Sequence, residues 1–127
     1  MRSRPETPLT VETGAQPAPG AWGVIGAAKR GKEVFTRAGC AVCHPPGLFT
    51  DLRQHDVGTR ASYDKPTDEF YTPNLIEIWR TAPYLHDGSA ATVRDVLTTR
   101  NSRDQHGKTS ILSASELEDL GAYLLSL

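Results

Sequence analysis

Cys40 and Cys43 stand three residues apart, and His44 follows the second of them, in the stretch Gly39-Cys40-Ala41-Val42-Cys43-His44. On one turn of backbone, two thiols at that spacing reach the two vinyl groups of a haem, and the adjoining imidazole aims at the iron. Two other chemistries use the same pair of cysteines. A thioredoxin-like dithiol needs a βαβ setting, and no such pattern surrounds the pair. A zinc site needs two further ligands, which would have to come from the scattered histidines His55, His86 and His106, because the chain has only two cysteines. The pattern implies one covalently attached haem c, with Cys40 and Cys43 as thioether anchors and His44 as an iron ligand. What completes the second face of the iron is less obvious, since the one methionine is Met1.

Helices must carry these groups. Over 25–39, Ala27, Gly31, Val34 and Phe35 recur at helical spacing, and Gly39 stops the run just before Cys40. Residues 45–70 are rich in turn formers and lack sustained periodicity, which predicts a long irregular loop of the kind that is functional or wrapped on a cofactor. Thr72-Pro73 opens a short predicted helix over 72–82 with Leu75, Ile76 and Trp79 on one face. Ser89 is the expected cap of another, carrying Val93, Val96 and Leu97. After a polar loop over 101–110, Ser113 caps a final helix whose apolar face holds Leu117, Leu120, Tyr123 and Leu124. No strand pattern competes, so the expectation is all-α, about four helices with long loops around one haem. Residues 1–24 hold Pro5, Pro8, Pro17 and Pro19 without helical periodicity and read as a flexible linker or arm, with Trp22 as the expected anchor of its end. Residues 25–127 read as the monohaem domain.

Composition narrows the function classes. A chain of 127 residues is one domain with a tail. At 38% hydrophobic and 7% aromatic residues, its side chains alone fill a core thinly, and a buried haem would complete it. A net charge of −1 gives no electrostatic footprint for nucleic acid and no polybasic membrane patch. No run approaches the roughly 18 apolar residues of a membrane span. The first residues are basic but lack the hydrophobic core of a secretory signal. Because haem attachment to CxxCH takes place outside the bacterial cytoplasm, a periplasmic or otherwise exported location is expected, with the signal or a larger upstream region removed ahead of Met1.

Three segments, 31–51, 72–92 and 112–127, resemble in this order the c-type cytochrome domain that forms the C-terminal, electron-entry half of bacterial di-haem cytochrome c peroxidases and their relatives. The resemblance covers about residues 25–127. It implies a class I cytochrome c-like fold in which the first and last helices cross, Gly31 allowing the approach and Tyr123 lying beside Phe35. The departures carry information too. That family has two haem motifs where this chain has one, which argues against autonomous peroxidase activity. The family's methionine ligand falls here near Arg100, and arginine cannot ligate iron.

Three histidines remain for the second face. His106 lies close to the stretch that supplies the family's methionine, and Gly107 beside it permits a tight backbone approach; His44 and His106 are the expected metal ligands. His55, on the long loop, is an alternative, as is an open or water-bound iron. His86, in the turn near the haem edge, is better suited to bonding a propionate or the backbone. Arg80 and Tyr84 are expected propionate contacts, the guanidinium offering a bidentate match to a carboxylate, unless Arg80 is a solvated residue beside a core Trp79. His44 is expected to donate its other ring nitrogen to a backbone carbonyl, the turn Pro45-Pro46-Gly47 being the nearest source. The functional expectation is electron transfer through one haem c, as a domain of a larger exported redox protein. Its partners would be a redox donor and acceptor or a fused upstream domain. The alternatives are a peroxidase-like or small-ligand-binding haem with an open distal site, and a haem-stabilised interaction module.

Overall fold

Gly31 decides how the two longest helices meet. In the computed structural model, which describes residues 24–127, α1 (Val24–Arg37) and α3 (Ala114–Leu125) cross at this glycine. A Cβ there would lie 1.9 Å from the carbonyl oxygen of Asp119 and 2.7 Å from Tyr123 Cβ, so only hydrogen fits. One turn further on, the rings of Phe35 and Tyr123 meet edge-on with centroids 5.3 Å apart, as the resemblance implied. Val34 and Phe35 of α1 and Ala38 just after it pack with Leu120 and Leu124 of α3, and Val93 and Leu97 close the core from a third side. At the rim, Arg30 binds both oxygens of Asp119 at 3.0 and 3.1 Å, and Arg37 pairs with Glu116. Both arginines are exposed, so these pairs set the crossing more than they stabilise it.

The last helix starts where the sequence predicts. Ser113 accepts from the Glu116 amide at 3.1 Å, and the Glu116 carboxylate accepts from the Ser113 amide at 2.9 Å, a reciprocal capping box. The helix before it, α2 (Val93–Leu97), is shorter than expected, and its cap is Thr92 rather than Ser89. Thr92 and Asp95 form a second capping box, with Thr92 itself in an extended conformation ahead of the helix.

The helix expected over 72–82 is reduced to a single 3-10 turn at Ile78–Arg80. Asn74 draws the Ile76 amide onto its side chain at 3.1 Å, forming an Asx-turn, and Glu77 takes a left-handed conformation at φ 59°. Both features prevent a continuous helical ladder. Three α-helices, not four, are therefore present among the described residues.

The long loop is irregular, as its composition predicts, but it has a neck. Two-residue strands β1 (Gln54–His55) and β2 (Phe70–Tyr71) pair antiparallel, His55 opposite Phe70. Within the loop, carboxylates of Asp51, Asp56, Asp64 and Asp68 accept amides of Arg53, Gly58, Ala61 and Lys65 at 2.7 to 2.9 Å. Such short-range bonds give a loop a fixed path without a hydrophobic core of its own. The arm expected over 1–24 and the Trp22 anchor fall outside the described residues, apart from Val24, which opens α1.

Candidate functional site

The chain leaves α1 through Gly39, at φ 85°, and Cys40–Val42 make one 3-10 turn. The amide of His44 bonds back to the Cys40 carbonyl at 2.9 Å, closing the turn that holds both thiols and the imidazole. His44 is buried, and its Nδ1 lies 2.7 Å from the carbonyl oxygen of Phe49. The backbone acceptor foreseen for this histidine thus lies beyond the Pro45-Pro46-Gly47 turn. Phe49 itself adopts a left-handed backbone, φ 59°, and packs its ring on Phe35 at 6.0 Å. That bond favours the His44 tautomer with its proton on Nδ1, which makes Nε2 the atom suited to bind a metal.

His106 arrives from the opposite side, on the loop between α2 and α3. Its ring centroid is 6.4 Å from that of His44, with the planes inclined by 32°. Two imidazoles sharing one metal ion at about 2 Å per metal–nitrogen bond need a separation of this order. Burial pushes His106 down to about 4, the neighbouring His44 adding to the effect, and burial also lowers His44 against the opposing bond from Phe49. Both rings are therefore neutral near pH 7, the form that binds a metal. Nδ1 of His106 is buried without a hydrogen-bond partner.

Between the two histidines lies a cavity of about 430 Å³. Its wall carries Cys40 and Cys43, both histidines, and apolar side chains including Leu75, Ile78, Val93 and Leu97. Cys40 is pushed up to about 11 by burial, and Cys43 is raised by burial and then by Asp51, so both stay thiols rather than thiolates. An apolar chamber with two neutral thiols on one wall and two facing imidazoles fits a haem.

The other candidates lie as follows. Tyr84 lines the cavity, its hydroxyl donating to the Ile78 carbonyl at 2.6 Å. Arg80 is exposed, pairs with Glu77 at 2.9 Å, and is not among the lining residues. His86 lines the cavity, stacked on Phe70 at 3.7 Å with Nε2 2.7 Å from Asp64. His55 also lines it, but on the cysteine side, with Nε2 2.7 Å from Asp51. Burial works to raise Asp51, yet the bond with His55 and those with the Arg53 amide and Thr72 outweigh it and hold its carboxyl near 2. Cys43, Asp51 and His55 bring one ligand atom each within 4.8 Å of one another, the one such cluster among the described residues. A cation there would need Cys43 as thiolate, which a thioether to haem would preclude.

Sequence reasoning missed Asn101. It is buried, and its amide nitrogen donates to the carbonyls of His106 and Gly107 at 3.0 Å each and to the Thr109 hydroxyl at 2.8 Å. Its oxygen accepts the His106 amide at 2.8 Å. The position in a polar loop gave no periodic signal, although Asn at a turn is itself a hint.

Fold and site together define a cytochrome c-like domain, a protein class whose cofactor is haem. Residues 70–106, ending at the second histidine, match the RoxA-like, cytochrome c-like family. The chain is 33% identical over 144 residues to hydrazine synthase subunit gamma of Kuenenia stuttgartiensis, covering 80% of this chain and 41% of the relative. It is 36% identical over 124 residues to methylamine utilization protein MauG of Methylorubrum extorquens, covering 81% and 35%. A solved structure of Kuenenia stuttgartiensis hydrazine synthase pressurized with xenon superposes with a TM-score of 0.70 at 30% identity, over 94% of this chain and 49% of that one. This chain carries a cytochrome c-like domain of the kind found in the di-haem cytochrome c peroxidase-like proteins, and it spans less than half the length of these relatives. No helix among the described residues is long and apolar enough to cross a membrane.

Proposed function

We propose that this domain transfers electrons through one haem c, attached by thioethers to Cys40 and Cys43 and held between His44 and His106. The observation that carries the reading is the pair of neutral imidazoles with centroids 6.4 Å apart, across a cavity walled by both cysteines. The bound haem supplies a one-electron couple. His44, its Nδ1 bonded to Phe49, presents a fixed Nε2. His106, neutral through burial, presents a second strong donor. Two imidazoles favour the ferric state more than an imidazole with a thioether, which sets a low reduction potential.

Tyr84 and Arg80 are proposed contacts for the haem propionates. For Arg80 this means exchanging the Glu77 carboxylate for a propionate. The relatives' greater length supports a domain of a larger redox protein, with donor and acceptor supplied by fused domains or separate redox proteins. An exported, periplasmic setting follows from the requirement of CxxCH haem attachment.

The test is optical. The ferric protein is expected to give a low-spin spectrum, to reduce reversibly, to pass electrons to an added redox partner, and to ignore cyanide. His106→Ala should turn the spectrum high-spin and open the iron to cyanide, while His55→Ala should leave both unchanged. A high-spin unmodified protein with rapid peroxide turnover would sink this reading in favour of the peroxidase-like one, which the partnerless Nδ1 of His106 would then suit.

A further inference from the structure

We infer that Asn101 is the positioning residue for the His106 ligand, the group that holds the distal loop in its ligating shape; this rests on the reading of His106 as an iron ligand. The two histidines are held in different ways. His44 is fixed through its ring, Nδ1 to the Phe49 carbonyl at 2.7 Å. The His106 ring has no such bond, since its Nδ1 is buried without a partner. An untethered ring keeps its place only if the backbone beneath it is held, and four hydrogen bonds from one buried side chain do this. Asn101 accepts from the His106 amide and shares its two amide protons among the carbonyls of His106 and Gly107 and Thr109 Oγ1, all within 2.8 to 3.0 Å.

The clamp is itself anchored. The Thr109 hydroxyl donates to the Leu97 carbonyl at 2.7 Å, joining the loop to the end of α2. The Lys108 amide donates to the Ala38 carbonyl at 3.0 Å, joining it to the end of α1 just before Cys40. Gly107 lies between these anchors at φ 81°, where a Cβ would touch Ala38 O and Cys40 Sγ at 3.5 and 3.6 Å. Only an amide fulfils the role of Asn101. A carboxylate would face the oxygens of His106, Gly107 and Thr109 without a proton to share, and an alanine would leave those oxygens and the His106 amide without partners.

The experiment uses the haem-loaded protein and reads the ferric spectrum and the rate of cyanide binding. Asn101→Ala and Asn101→Asp should each produce a high-spin fraction and raise the cyanide-binding rate at least tenfold. Thr109→Val, which leaves Asn101 in place but removes its hydroxyl partner, should move both readouts the same way by less, and Thr109→Ser should restore both. Thr92→Ala, which weakens the cap of α2 without touching the clamp, should lower the unfolding midpoint and leave the spectrum low-spin. If Asn101→Ala does not fold, the contrast between Thr109→Val and Thr109→Ser decides. Low-spin, cyanide-inert Asn101 or Thr109→Val proteins beside a high-spin His106→Ala would overturn this inference alone. A His106→Ala protein that stays low-spin would instead overturn the ligand assignment.

Discussion

The two walls of the cavity are built on opposite plans. On the His44 side everything is local: the thiols, the imidazole and the Phe49 carbonyl that orients it fall within ten residues of chain, and one turn of backbone fixes them. On the His106 side the ring's Nδ1 has no tether, and only the backbone is held. Its loop is shaped by a side chain five residues earlier and moored to the ends of α1 and α2. A site whose geometry is written in one turn survives changes elsewhere in the fold; one assembled from distant anchors moves with them. Under the proposed ligation, His44 would have the constant role and His106 would be the position at which ligation is lost.

The largest expected effect breaks both walls together. Cys40→Ser with Cys43→Ser would remove the thioethers that fix the cofactor completing a thin core, and near-ultraviolet circular dichroism should lose its tertiary signal. An ordered apoprotein would contradict this. Next is Gly31→Ala: its Cβ would lie 1.9 Å from a backbone oxygen, so α1 and α3 must separate, at a cost of about 3 kcal/mol or more in denaturant unfolding. Since α1 leads directly to Cys40 whereas Lys108 only bonds the Ala38 carbonyl just past its end, this change tests which wall depends more on the crossing. A spectrum that loses its low-spin character before the fold melts would mark the His106 wall as the weaker.

Acid should act in between. His44 and His106 are lowered below the ordinary value of about 6.5, so the unfolded chain binds more protons as pH falls through that window, and stability falls with it. His106, pushed to about 4, contributes over the window between about 6.5 and 4. Asp51, held near 2, adds a loss at lower pH, because its depressed carboxyl stabilises the fold only above the unfolded value. Urea midpoints measured downward from neutral pH should therefore fall steadily, and a flat profile to about pH 4 would break the assignment of two buried neutral rings. The smallest effect is that of Thr92→Ala, about 1 kcal/mol of stability from one lost cap.

The sequence made one wall legible and left the other half-read. Cys40, Cys43 and His44 announced themselves by spacing alone, because a motif that works within one turn must be contiguous in the chain. Gly31, the Phe35–Tyr123 contact and the Ser113 cap were legible too, the first two through the resemblance. His106 was singled out by its nearness to the stretch that supplies the family's methionine, and the fold does bring its ring opposite His44; Asn101 was not found, since hydrogen bonds made by a loop folding onto itself leave no period. The helix over 72–82 failed because Asn74 and Glu77 choose turn conformations that the apolar spacing of Leu75, Ile76 and Trp79 does not register. The Thr92 cap could have been read, since Thr92 followed by Asp95 is itself a capping-box pattern that Ser89 lacks.

The α1–α3 crossing has a consequence for how the chain finds its fold. Arg30 and Asp119 meet across 89 positions of sequence, which makes the defining contact of the domain one of its least local. Joining two points so far apart on a free polymer costs roughly 4 kcal/mol of chain entropy beyond the length-independent part. A haem fastened at Cys40 and Cys43 and gripped by His106 would act as a molecular short-cut, reducing the free path to the stretches 30–40 and 106–119. By the same logarithm that saves on the order of 1 kcal/mol of closure entropy. The cofactor would then hasten the docking of the final helix, and refolding of haem-loaded protein should outpace that of any apoprotein kept in solution.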